Sequence, residues 1–148
     1  MKIVIQRVTH ASVTVDGEVV GSIGNGLLAF IGVTDTDTPE IAEKYAEKVS
    51  KMRIFADTDG KINLSALDLN YAVLVISQFT LYADTRKGHR PSFIKAGAPD
   101  HAETICTAFI AACKKRFIQT ESGIFGASMS VSLVNNGPFT ILLDSQEI

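Results

Sequence analysis

The segment Ala72-Val73-Leu74-Val75-Ile76-Ser77-Gln78-Phe79-Thr80 (AVLVISQFT, residues 72–80) runs five apolar side chains together and then brings in Ser77, Gln78 and Thr80 around one phenylalanine. An apolar run of this length, rich in β-branched residues, predicts a buried strand, here over 72–79. Such a strand ordinarily finishes in a plain turn. Polar atoms delivered at its end look like the floor of a site, although ordinary strand-end residues would read the same way.

On its N-terminal side, residues 2–8 and 11–15 alternate as strands, and Asp16-Gly17 before Glu18-Val19-Val20 predicts a hairpin turn. Residues 27–33 form a second continuous apolar strand. Thr38 makes an N-cap with Pro39 at the first helical position, and Ile41, Tyr45, Val49 and Met52 recur at helical spacing. Glu40 with Lys44 and Glu47 with Lys51 are placed for i,i+4 pairing on the exposed face of that helix. Asp59-Gly60 marks another turn. On the C-terminal side, Pro99-Asp100 opens a second helix whose Ala102, Ile105, Phe109 and Ala112 face the core and whose end collects Lys114, Lys115 and Arg116. Strands over 129–134 and 139–143 follow, joined by Asn135-Asn136-Gly137-Pro138. The expected fold class is α+β, a mainly antiparallel sheet curled around two principal helices.

A chain of 148 residues has the length of one domain, residues 1–148. With 46% hydrophobic and 20% charged residues it fits a folded cytoplasmic protein. MKIVIQRVTH carries charge inside its apolar stretch and lacks the core of a secretion signal, and no apolar run approaches the ~20 residues of a membrane-spanning helix. No membrane and no protein partner are expected. Cys106 and Cys113 lie seven apart in the second helix, too far for a disulfide, and read as buried thiols.

Several chemistries find no support. His10, His89 and His101 are far apart in sequence and make no zinc-type cluster, so no metal and no cofactor are expected. A Gly-x-Ser-x-Gly elbow, a P-loop and a dinucleotide fingerprint are all absent. A triad assembled by folding would have His89 as its nearest candidate. The net charge of −2 argues against a broad nonspecific nucleic-acid binder, but Arg86, Lys87, His89 and Arg90 cluster just after the polar segment, with Lys95 close behind. They form either a solvated loop or a small patch that contacts phosphates and positions the end of an RNA.

The second unusual feature is Gly137-Pro138, placed directly before Phe139-Thr140-Ile141-Leu142-Leu143. Proline cannot donate to a sheet ladder, so the pair presents bare carbonyl groups. Its bland reading is a hairpin turn. Around these two segments the chain resembles the D-aminoacyl-tRNA deacylases along nearly its whole length. The matching stretches are Gln6-Arg7-Val8, GSIGNGLL at 21–28, MRIF at 52–55, DGKIN at 59–63, SQFTLYADTRKGHRPSF at 77–93 and GIFGASM at 123–129. One departure is Asn136, where the family pattern has aspartate.

The resemblance implies a homodimeric, barrel-like fold and an enzyme that hydrolyses the ester of D-aminoacyl-tRNA, and of misplaced glycyl-tRNA, without a cofactor. Ser77, Gln78, Phe79 and Thr80 would be its catalytic segment. Ser77 and Gln78 would fix the terminal adenosine, Phe79 would stack on its base, and the amides of Phe79 and Thr80 would stabilise the oxyanion. The Thr80 hydroxyl as nucleophile has no base nearby in sequence, whereas the substrate's own 2′-hydroxyl can orient water. Gly137 and Pro138, joined by a cis bond, would reach into the partner subunit's pocket and exclude L side chains with main-chain carbonyls. Arg7 would support that turn. Ala102 and Met129 are pocket lining or simple core, and Arg86, Lys87 and Arg90 the phosphate contacts. Two rivals remain: a nucleic-acid-binding module without turnover, and an esterase acting on small D-amino-acid derivatives.

Overall fold

The computed structural model describes residues 1–147. Eight strands and two helices follow in the order β1 (Lys2–Val15), β2 (Glu18–Ile23), β3 (Gly26–Gly32), α1 (Pro39–Lys51), β4 (Phe55–Ala56), β5 (Ile62–Leu64), β6 (Ala72–Ser77), α2 (Pro99–Lys114), β7 (Thr120–Ser122) and β8 (Ser130–Asp144). The fold is the expected curled, barrel-like sheet with two helices. β1 pairs antiparallel with β2, β3 and β8. The β3–β6 and β6–β7 pairs are parallel, because α1 and α2 each supply the crossover that parallel neighbours need.

Strict alternation along β6 divides the core in two. Val73 and Val75 join the cluster beneath α1 and α2, built around Phe109, Ile105, Ala42 and Ala46. Ala72, Leu74 and Ile76 point into the hollow of the sheet with Val8, Val13 and Leu28. A strand buried on both faces reads as a continuous apolar run, and that is the physical reason for AVLVI. The sheet curls until β7 reaches β2, where the Gln119 side-chain amide donates to the Ser22 carbonyl at 3.2 Å.

Thr38 caps α1, its hydroxyl accepting from the Ile41 N–H at 3.3 Å. Asp16 and Gly17 turn the first hairpin with φ of 50° and 79°, the left-handed pair that such two-residue loops require. Four expectations need correction. Residues 2–15 are one continuous strand, since β8 accompanies β1 over both halves. The stretches expected over 129–134 and 139–143 likewise form one strand, which begins at Ser130, and are not a hairpin. β6 stops at Ser77, two residues early, because the Gln78 N–H leaves the sheet direction after donating to Ile31 and the chain then coils. Glu47–Lys51 forms at 2.6 Å, while Glu40 and Lys44 make no ion pair among the described residues.

At Gly26 the start of β3 lies so close to β6 that a Cβ would fall on the Ala72 carbonyl group, whereas a Cβ on Gly24 meets nothing. Gly26→Ala is expected to lower stability in urea unfolding by about 1–3 kcal/mol through overpacking. Gly24→Ala should lie within about 0.5 kcal/mol of the parent.

Candidate functional site

Beyond Ser77 the chain winds into a 3₁₀ helix over Phe79–Tyr82, with Leu81 N–H donating to Gln78 O and Ala83 N–H to Thr80 O. The opening amides of any helix have no partner within it. Among the described residues, those of Phe79 and Thr80 find no acceptor elsewhere. The sheet ladder has let go and the helix has not yet taken hold, so two backbone donors are left free at one place. The side chain of Gln78 donates to the Thr80 hydroxyl at 2.5 Å.

Ser77, Gln78 and Phe79 line a cavity of about 660 Å³, a volume suited to a small ligand. Ala102 from α2 and Met129 before β8 complete its apolar walls, together with Phe125. Thr80 is not among the lining residues, and its hydroxyl accepts from the side chain of Gln78, which is. Phe79 is 57% exposed at the mouth, and its ring meets Phe93 edge to face at 5.2 Å between centroids. Phe93 escaped the reading of single motifs; its signal is its place at the end of the 77–93 block. Among the described residues no carboxylate, histidine, lysine or arginine lines the cavity, and His89 stands outside it. The only ionisable side chain in the lining is the Cys106 thiol, and burial pushes it up to about 12.

The basic loop follows directly. Asp84 and Ser92 exchange backbone hydrogen bonds of 2.8 and 2.9 Å, closing residues 85–91 into a loop that leads back to Phe93. Arg86 folds onto Asp84, donating from Nε at 2.9 Å and from a terminal nitrogen at 2.5 Å, and Lys95 lies 3.6 Å from the same carboxylate. Hydrogen bonding from Arg86 holds the Asp84 carboxyl well below the usual carboxylate range. Arg86 is therefore already neutralised, while Lys87 and Arg90 are exposed and make no ion pair among the described residues.

Gly137 and Pro138 lie elsewhere, joined by a cis peptide bond and outside the cavity lining. Gln6 pairs with Thr140 and Val8 with Asn135, so Arg7 alone faces the four residues 136–139, which leave the ladder as an excursion exposed at 136–138 and half-buried at Phe139. Arg7 is only 8% exposed. Its guanidinium donates to the carbonyl oxygens of Asn136 (2.9 Å), Ile54 (2.7 Å) and Gly137 (3.3 Å), and to Asn136 Oδ1 (3.4 Å). It also stacks on Phe139, 4.2 Å from the ring centroid. Desolvation lowers its pKa, and it makes no ion pair among the described residues. β8 carries this excursion on an edge with no strand partner among the described residues, flanked by exposed Val134 and Leu142.

The family described as D-Tyr-tRNA(Tyr) deacylase matches residues 4–144, and the chain belongs to it. A D-aminoacyl-tRNA deacylase of Chloroflexus aurantiacus is 57% identical over all of this chain and 92% of its own length. One of Thermus aquaticus is 52% identical over 99% of this chain and 97% of its own. Among solved structures, the c-Myc DNA Unwinding Element Binding Protein superposes with a TM-score of 0.91 at 39% identity, covering 98% of this chain and 99% of that one. A probable eukaryotic D-amino acid tRNA deacylase gives 0.83 at 16% identity over 96% and 97%, which shows the shared fold.

The thiols allow a test by pH. Burial pushes Cys106 and Cys113 both up to about 12 in the folded state. An unfolded thiol ionises near ~8.5. Above that pH the unfolded chain holds fewer protons than the folded one, so stability falls as pH rises; below it both states are protonated and the thiols add no slope. Urea unfolding between about pH 8 and pH 10 should show this decline, and a Cys106→Ala/Cys113→Ala variant should show a shallower one. Equal slopes would place the thiols in contact with water.

Proposed function

We propose that this protein hydrolyses the ester between a D-amino acid, or misplaced glycine, and tRNA, acting as an editing enzyme. The observation that carries the reading is the pair of unpartnered amides at Phe79 and Thr80, beside a cavity whose lining, among the described residues, offers no carboxylate, histidine, lysine or arginine. Chemistry in such a place depends on main-chain donors and on the substrate. Water adds to the ester carbonyl, the two N–H groups hold the developing oxyanion, and the ester bond breaks as the 3′-oxygen of the ribose takes up a proton. One oxyanion donor is typically worth ~2.7–4 kcal/mol. The neighbouring 2′-hydroxyl orients the water and relays the proton, so an activated protein nucleophile is not needed. Thr80 donates no electrons in this scheme; its hydroxyl holds the Gln78 amide.

Ser77 and Gln78 fix the terminal adenosine, whose base stacks on Phe79 beside Phe93, an interaction worth ~1–3 kcal/mol on comparable platforms. Ala102 and Met129 wall the aminoacyl group. Lys87 and Arg90 meet phosphates of the acceptor end, with Arg86 joining them once it exchanges Asp84 for phosphate. The chain acts as a homodimer in which Gly137 and Pro138 of one subunit close the pocket of the other. This reading is supported by their exposure on an unpaired strand edge and by their standing outside the cavity lining among the described residues. Main-chain carbonyls held by Arg7 leave room for hydrogen but not for a side chain, so an L substituent collides while a D substituent and glycine clear them.

The rival reading, a nucleic-acid-binding module without turnover, draws on the DNA-binding name of the 39% identical structure. Turnover separates the two. Purified protein incubated with matched D- and L-aminoacyl-tRNA should release the D-amino acid alone, and binding without release of either would favour the rival. Thr80→Ala should retain deacylation within about tenfold of the parent, because the backbone amide survives the substitution. Loss of all activity, with an acyl group trapped on the Thr80 hydroxyl of the parent, would establish a covalent route instead.

A further inference from the structure

The excursion at 136–139 has two ends, and Arg7 holds only its first half. Arg7 reaches the carbonyls of Asn136 and Gly137, but nothing from its guanidinium ties down the return at Phe139 except contact with the ring. A second side chain closes that end. The Asn135 amide nitrogen donates to the Arg7 carbonyl at 3.0 Å and to the Phe139 carbonyl at 3.1 Å. It thus bridges the residue where the excursion leaves β1 and the residue where it returns. We propose that Asn135 is a positioning residue that fixes the aim of the Gly137-Pro138 carbonyls, and hence the chiral discrimination of the enzyme.

Three features of the geometry support this. The ladder is interrupted between Gln6 and Val8, so the Arg7 carbonyl has lost its strand partner opposite the excursion, and the Asn135 side chain supplies a donor in its place. Phe139 lies four residues beyond Asn135, and the same NH₂ group serves both carbonyls, which uses both of its hydrogens. The amide oxygen then faces the excursion itself: a Cβ built on Gly137 would lie 3.3 Å from Asn135 Oδ1. Asparagine suits this post because a carboxylate at neutral pH has no hydrogen to give, and a longer amide would overshoot the turn. Asn135 is not in the cavity lining among the described residues, so it acts through the backbone it holds.

The inference rests on the filter reading above, and two measurements separate their failures. Hydrogen exchange over residues 135–140 reports the clamp alone. In Asn135→Ala, amides there should exchange about tenfold faster, with rates elsewhere and thermal stability close to the parent, since the loss is of two hydrogen bonds at an exposed strand edge. The ratio of kcat/KM for D- over L-aminoacyl-tRNA reports the function. It should fall about tenfold in Asn135→Ala and in Asn135→Asp, and by less in Asn135→Ser, which restores one donor. A merely structural role would lower the amount of folded enzyme without moving this ratio. Unchanged exchange in Asn135→Ala overturns the clamp. Faster exchange with an unmoved ratio in all three variants overturns the link to discrimination. A parent enzyme with no D preference would sink the filter reading, while the exchange rates would still decide whether Asn135 holds the excursion.

Discussion

The Arg7 guanidinium, buried against carbonyl oxygens with no carboxylate beside it, is the contact on which the arrangement of the site depends. A charged donor bonded to neutral acceptors forms stronger bonds than a neutral one, and each carbonyl oxygen keeps a second lone pair. Here the three acceptors come from two places: Ile54 between α1 and β4, and Asn136 and Gly137 in the excursion of β8. Lysine could not replace it, since a point charge on a flexible stem cannot fan out to three fixed carbonyls. Asn136 matters for the same reason. Its neutral side chain accepts one bond at 3.4 Å without forming an ion pair, so the cation remains shared among main-chain oxygens.

A second constraint is the way β6 ends. A parallel strand buried on both faces has its whole ladder satisfied until it stops, and the change to a 3₁₀ helix at Gln78 leaves free amides at one place. Both candidate segments are thus built from interrupted backbone. At Phe79 and Thr80 the interruption frees donors; at Gly137 and Pro138 it exposes acceptors. On the reading proposed above, such a site would meet the main chain of its substrate before the side chain.

Much of this was legible in the sequence, and the failures have physical causes. AVLVI announced a buried strand because burial on both faces erases alternation, and Asp16-Gly17 announced its turn because few residues tolerate positive φ. Thr38-Pro39 marked the start of α1 through capping alone. The unity of β8 was hidden, since Asn-Asn-Gly-Pro is turn chemistry, and only the partner strand with Arg7 and Asn135 keeps the two halves collinear. The neutralisation of Arg86 was also hidden: the charges at 84 and 86 are adjacent in sequence, but whether they pair depends on the loop closed by Ser92. Phe93 belongs to the mouth of the cavity for the same tertiary reason.

The claim that one subunit finishes the other's pocket is open to direct measurement by complementation. A variant inactivated in Ser77–Thr80 and a variant inactivated at Gly137-Pro138 would be refolded together so that subunits exchange. In a random mixture half the dimers are mixed and each assembles one intact site, so roughly a quarter of all sites should regain D-specific deacylation. If mixed dimers form and the mixture stays inactive, the Gly-Pro pair acts within its own chain, and chiral rejection across a dimer interface is wrong.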